Sequence, residues 1–496
     1  MTPLTELSAV ELRRRIGNKQ ISPVELLEAC IERIEALNPA VNAISAKAYE
    51  RARKEAKAAE VAVLRGDDLG PLLGLPVGIK DLQDTAGLLT THGSPVYRSH
   101  VPKADAASVA LVRQAGAIIV AKTNVPEFGA GANSRNPVWG ATGNPFNPNL
   151  NAGGSSGGSA VALATDMLPI CTGSDTGGSL RIPAAICGVV GFRPSPGLVP
   201  MDARGLGWTP ISVVGPMGRD VADMRLLFAA QIGVDDRDPL SQPLDPRETS
   251  AHRPVDLGRL RVAWTTDFGQ CPIGAEIAET MRGQIGRMKH LFARCDEIAF
   301  DFGRADDCFD AIRALNFVAR YKAAYDEDPT ILGPNVRANY EMGAAMSLAH
   351  AAWAHTEQTR IFRRFQEIYR AYDLVLAPTT PVSPFPWTEL YLQELNGDKL
   401  RNYYHWLALT YFVTLVTNPS ISIPCGTDRQ ALPFGLQVVG RFRGDLALLD
   451  TAQSLEEAFK GIPGLGRPRP DLTLLREPRP DLKAIVTAPP VLQNSV

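Results

Sequence analysis

Short apolar runs, each too brief for a helix, alternate along this 496-residue chain with amphipathic helical stretches. Gly74-Leu75-Pro76-Val77-Gly78-Ile79 reads as a buried strand ending at Lys80, and Ala117-Ile118-Ile119-Val120 as a second strand, fed by a helix over Ser108–Gln114. Strand–turn patterns return at Asp373–Ala377, Ser420–Pro424 and Phe434–Val439, closed by a helix from Asp445 to about Phe459. This alternation restricts the chain to an α/β layer architecture. Strand patterns at both ends predict one continuous sheet, interrupted by a mainly helical insertion around 305–372, rather than separate beads.

The first 65 residues read as helices packed on that core. Ser22-Pro23-Val24-Glu25 is a capping box with Pro at the first helical position, and Leu26, Leu27, Cys30, Ile31, Ile34 and Leu37 follow at helical spacing. Val41–Leu64 reads as a further, more charged surface helix. The main domain is expected over 66–462, with a Pro-rich tail over 463–496, extended or loosely packed.

Composition excludes several classes of function. Apolar residues at 45% and charged residues at 21% are ordinary for a globular chain. A net charge of −2 with no basic run argues against a nucleic-acid partner. No stretch approaches 18 apolar residues, so no membrane span is expected, and residues 1–20 lack the apolar centre of a secretory signal, which predicts a cytoplasmic location. Seven scattered cysteines without a C-x-x-C fit reduced thiols, and none of the seven histidines stands in a ligand motif, so neither metal nor cofactor is expected.

Chemistry concentrates in two Gly/Ser clusters, Gly153–Ser159 and Gly173–Arg181. Glycines this dense let a backbone take positive φ and approach a ligand closely. In the second cluster the N–H groups of Thr176, Gly177, Gly178 and Ser179 are placed to converge on one point, the arrangement an oxyanion hole needs around an attacking serine. Such a serine needs a neighbouring base. Gly153–Gly157 satisfies the G-x-S-x-G elbow of α/β-hydrolases, but Asn144–Asn149 before it cannot form the required strand. Lys80, ending an apolar strand, becomes a usable base if desolvation strips its proton; otherwise it is an ordinary surface lysine.

Together these pieces resemble the amidase signature family, over roughly Pro71–Pro200 and again over Pro419–Val439. The family's lysine motif resembles Gly74–Asp81, its Gly-Lys-Thr-Asn element resembles Ala121-Lys122-Thr123-Asn124 (with Ala for Gly), and its two serine motifs resemble the two clusters. The resemblance implies an α/β/α sandwich around one large mixed sheet, no cofactor, and frequent dimers. It implies Ser179 as nucleophile, Ser155, after a cis peptide, as proton relay, and Lys80 as base, with Thr176, Gly177 and Gly178 holding the oxyanion.

The substrate is expected to be a small, mainly apolar aryl or alkyl amide, or a carbamate or ester with the same carbonyl geometry. Candidate pocket residues are Phe128, Gly129, Asn133, Gly153, Gly154, Phe385, Trp387 and Tyr403. The alternative is the glutaminase component of a tRNA-dependent amidotransferase, for which charge-recognising residues are expected where this chain offers aromatics. Asp175 and Arg181 are expected to brace the nucleophile loop by pairing.

Overall fold

In the computed structural model, which describes residues 2–67 and 70–492, the apolar runs lie side by side in one sheet. Its strands are β1 (Ile44–Lys47), β2 (Pro76–Lys80), β3 (Ile118–Thr123), β4 (Ile170–Asp175), β5 (Val190–Arg193), β6 (Val213–Gly218), β7 (Arg261–Trp264), β8 (Arg294–Glu297), β9 (Leu374–Pro378), β10 (Ser420–Thr427) and β11 (Pro433–Val439). Their spatial order is β1-β3-β2-β4-β6-β5-β10-β11-β9-β7-β8. β2 runs parallel to both β3 and β4, and β7 to β8 and β9; the other pairs are antiparallel. The sheet is therefore mixed, as expected.

Alternation along single strands shows that both faces are covered. In β9, Val375 and Ala377 join one apolar cluster while Leu374 and Leu376 join another. Every residue of β2 is buried, the pattern of a strand sealed on two sides.

The capping box forms, with Ser22 Oγ accepting from Val24 N–H and Ser22 N–H donating to Glu25. The helix it opens spans Pro23–Val41, and left-handed Asn42 ends it. The expected helix over Val41–Leu64 begins only at Tyr49; Ile44–Lys47 is instead the edge strand β1, antiparallel to β3. Between β8 and β9 lie three helices, Ala305–Glu327, Pro334–Ala344 and Leu348–Ile368.

The tail is not loose over its described length. Leu465, Leu475 and Leu482 are fully buried, and Arg479 N–H donates to Pro39 O at 2.9 Å. Three spaced leucines anchor the segment, Leu475 and Leu482 from short 3-10 helices over Leu472–Leu475 and Pro480–Lys483; its last four residues, 493–496, lie outside the described residues. No helix among the described residues is long and apolar enough to cross a membrane.

Candidate active site

Because β2 and β4 are adjacent and parallel, their carboxyl ends share one edge of the sheet. Lys80 ends β2 and Asp175 ends β4. The helix Gly157–Ala164 crosses back from β3 to β4, so its N-terminus, carrying Ser155 and Ser156, returns to that same edge. Three segments distant in sequence thus meet where α/β sheets usually bind ligands.

Lys80 is fully buried. Its Nζ lies 2.8 Å from Ser155 Oγ, 2.8 Å from Ser156 Oγ and 3.0 Å from Ser174 Oγ. Desolvation holds the amine well below the ordinary lysine value, with Asp175 opposing. Ser156 is therefore a second hydroxyl partner of the amine.

The Gly154–Ser155 peptide is cis, as the resemblance implied. Ser134 holds this turn from below, donating to Gly153 O at 2.8 Å and accepting from Gly157 N–H at 3.0 Å.

The second cluster hangs on Asp175. Its carboxylate accepts from Gly178 N–H at 2.9 Å, Leu180 N–H at 3.2 Å, Arg181 Nε and Nη2 at 2.9 Å each, and Arg193 Nη1 at 3.1 Å. Burial raises this carboxyl, but the Arg181 and Arg193 guanidiniums outweigh it and hold it far below the usual range. The pairing expected of Asp175 with Arg181 is present, with Arg193 added.

This bracing alters the expected oxyanion donors. Gly178 N–H is spent on Asp175 and does not face the cavity, while the amides of Thr176, Gly177 and Ser179 have no partner among the described residues. Gly178 has φ +125°, and a Cβ there would stand 2.2 Å from Thr410 Oγ1. Its conformation makes the turn; its amide is not available.

Ser155, Ser174, Thr176, Gly177 and Ser179 open onto one cavity of about 140 Å³. Phe128 and Gly129, expected as pocket residues, line it; Asn133, Gly153, Gly154, Phe385, Trp387 and Tyr403 do not. Gly153 and Gly154 are pressed beneath Pro183 and Ala132. Phe385 packs edge-on against Trp406, and Trp387 packs with Ala141 and Leu482. Asn133 Nδ2 donates to Trp387 O and Glu389 O, and its residue borders a separate cavity with Glu127. Tyr403 stands behind Arg313, its hydroxyl 2.7 Å from Nη2.

In place of those aromatics the cavity presents side chains that the sequence did not mark. Leu82, Met201, Leu206 and Phe317 provide apolar wall, while Gln83, Arg204, Arg313, Asn316 and Arg320 provide polar atoms. Gln83 is fixed by Thr172 Oγ1 at 2.5 Å, and its carbonyl accepts from buried Lys122 Nζ at 2.5 Å. That amine is lowered to about 8 by burial, against Asp81.

An amidase family model matches residues 25–449. An acylamidase of Rhodococcus erythropolis is 32% identical over 463 residues, covering 91% of this chain and 95% of its own. A glutamyl-tRNA(Gln) amidotransferase subunit of Alkaliphilus metalliredigens is 31% identical over 490 residues, covering 93% and 98%. The crystal structure of a bacterial aryl acylamidase of the amidase signature enzymes superposes with a TM-score of 0.85 at 28% identity, over 92% of this chain and 97% of that one. The chain belongs to the amidase signature family and is an enzyme that hydrolyses amide C–N bonds.

Proposed function

We propose that the enzyme cleaves a small amide through an acyl-enzyme on Ser179, with Ser155 relaying the proton and Lys80 as the base. The observation that carries this reading is the fully buried Lys80 amine, 2.8 Å from Ser155 Oγ, beside a cavity that Ser155 and Ser179 both line. A neutral lysine accepts the proton of Ser179 through Ser155 as Ser179 Oγ attacks the carbonyl carbon. The amides of Thr176, Gly177 and Ser179 take the oxyanion. The proton returns to the leaving nitrogen as the C–N bond breaks, and water then releases the acyl group by the reverse route.

The apolar walls, Phe128 and Phe317 among them, support an aryl or alkyl body for the substrate, and its carbonyl is an amide, carbamate or ester. A second reading, glutaminase action within an amidotransferase, is favoured by the arginines lining the cavity and by the amidotransferase relative at 31% identity.

A matched panel of p-nitroanilide, primary amide, aryl carbamate, p-nitrophenyl ester and L-glutamine tests both. We expect turnover of at least one anilide or carbamate that vanishes in Ser179→Ala. Glutamine turnover alone would establish the second reading, and full activity in Ser179→Ala would remove Ser179 as nucleophile.

A further inference from the structure

Five arginines are buried among the described residues: Arg181, Arg193, Arg219, Arg225 and Arg313. Four hold a carboxylate. Arg181 and Arg193 share Asp175, Arg219 holds Asp166, and Arg225 holds Asp450. Arg313 makes no ion pair among the described residues. Its Nε donates to Asn339 Oδ1 at 3.1 Å and its Nη2 to the Tyr403 hydroxyl at 2.7 Å, both neutral, and Nη1 makes no hydrogen bond to the described residues. A buried guanidinium stays charged; the rings of Phe317, Tyr404 and Tyr403, 4.9, 5.0 and 5.7 Å away, meet part of that charge, and no anion among the described residues balances it.

Arg313 lines the cavity that holds Ser179. So do Asn316, Phe317, Arg320 and Tyr321, at helical spacing on one face of the helix Ala305–Glu327. One turn before Arg313, Phe309 reaches the nucleophile loop: a Cβ on Gly177 would stand 3.4 Å from the Phe309 ring. The face therefore starts at the nucleophile and runs away from it, with Arg313 and Arg320 about 10 Å apart along the axis. Arg320 is exposed and likewise makes no ion pair among the described residues; its guanidinium lies 5.7 Å from the centre of the Tyr321 ring. The remaining cationic wall residue, Arg204, is neutralised by Asp238 at 3.2 Å. Among the described residues, no Asp or Glu lines the cavity.

From this imbalance we infer that the substrate carries a carboxylate, received by Arg320 and Arg313, while its amide carbonyl lies at Ser179. The inference rests on the proposed hydrolysis at Ser179 and adds the charge of the substrate to it. Guanidinium forks match carboxylates in pairs of hydrogen bonds, and a water-poor cavity strengthens them.

The test compares pairs matched in shape and differing in charge: 4'-acetylacetanilide against 4-acetamidobenzoate for the amine side, and 4-oxo-N-phenylpentanamide against succinanilate for the acyl side. We expect kcat/KM to favour the carboxylate in at least one pair by 30-fold or more. In Arg320→Gln that ratio falls at least tenfold, and in Arg320→Glu preference shifts toward 4-(aminomethyl)acetanilide. Equal rates within both pairs would overturn the subsite while leaving hydrolysis at Ser179 intact. Should neither pair be turned over, calorimetry on Ser179→Ala decides: benzoate or succinanilate binding at least tenfold more tightly than benzamide, and weakened tenfold by Arg320→Gln, upholds the subsite, and indifference to charge ends it. Arg313→Gln, read by thermal melting, separates a structural clasp from a binding group. Loss of fold with an unchanged charge preference in Arg320→Gln would confine Arg313 to the clasp and overturn the assignment.

Discussion

At Lys80, the proposed base, burial sets the pH range in which the amine is neutral. The amine is held well below the ordinary lysine value by desolvation, so its neutral form is reached at lower pH than in water. The proposed mechanism uses that neutral form, so kcat/KM is expected to rise as one proton is lost and to level off above the depressed pKa, with a midpoint below 10.5. Lys80→Ala is expected to lower kcat/KM by on the order of 10³-fold or more with the pH rise abolished, read from pH–rate profiles of both proteins. Gly178→Ala tests the neighbouring loop. Its Cβ would meet Thr410 Oγ1 at 2.2 Å in a φ +125° conformation, so a loss of about 2–4 kcal/mol and most activity is expected in denaturant melts and initial rates.

Among elements, the loop between β4 and the helix Arg181–Cys187 is held by one carboxylate between two guanidiniums. Asp175→Ala leaves Arg181 and Arg193 buried without an anionic partner, only neutral oxygens remaining to them, and a loss of about 3–5 kcal/mol is expected from chemical denaturation. The folded-state pKa of Asp175 is depressed, so its contribution is present above the ordinary carboxyl value and is lost as pH falls below it; acid melts of wild type and Asp175→Asn should converge. What could be read from sequence follows the same division. The serines, Lys80 and the bracing pair were legible because their chemistry needs glycines and charges in runs no ordinary loop requires. Strand β1 was not: four residues, Ile44–Lys47, between two helices carry too little periodicity to signal a change of period. Phe385, Trp387 and Tyr403 read as pocket walls because aromatics near a site look alike whether they face a ligand or pack behind it. Arg313 and Arg320 went unmarked because an arginine on an amphipathic helix ordinarily faces water.

Over the whole molecule, buried carboxyls set a second pH dependence. Burial raises Glu127 from 4.5 to about 7 and Asp445 from 3.8 to about 6, against hydrogen bonds from Ser94 and Ser195 respectively. Each contributes stability that is complete below its unfolded pKa and is lost as pH rises through the folded one, roughly 3 kcal/mol apiece. The Tm is therefore expected to fall between about pH 4 and 7, the span between the unfolded and folded values of these two groups, and Asp445→Asn to flatten that fall, by calorimetric scans. The tail makes a separate test: Leu482→Ala opens a cavity against Ala141 and Trp387, and a loss of about 2–5 kcal/mol should appear although the segment holds only single turns of 3-10 helix. The helix Ala305–Glu327 bears on how such an enzyme diversifies. The proposed catalytic trio comes from strand and loop ends at one sheet edge, whereas Arg313, Asn316, Phe317, Arg320 and Tyr321 belong to a single helix face. Selection can rewrite those five codons while the trio stays fixed, so a library randomised there should yield new substrate preferences at a far higher frequency of folded, active clones than one aimed at the glycine-rich loops.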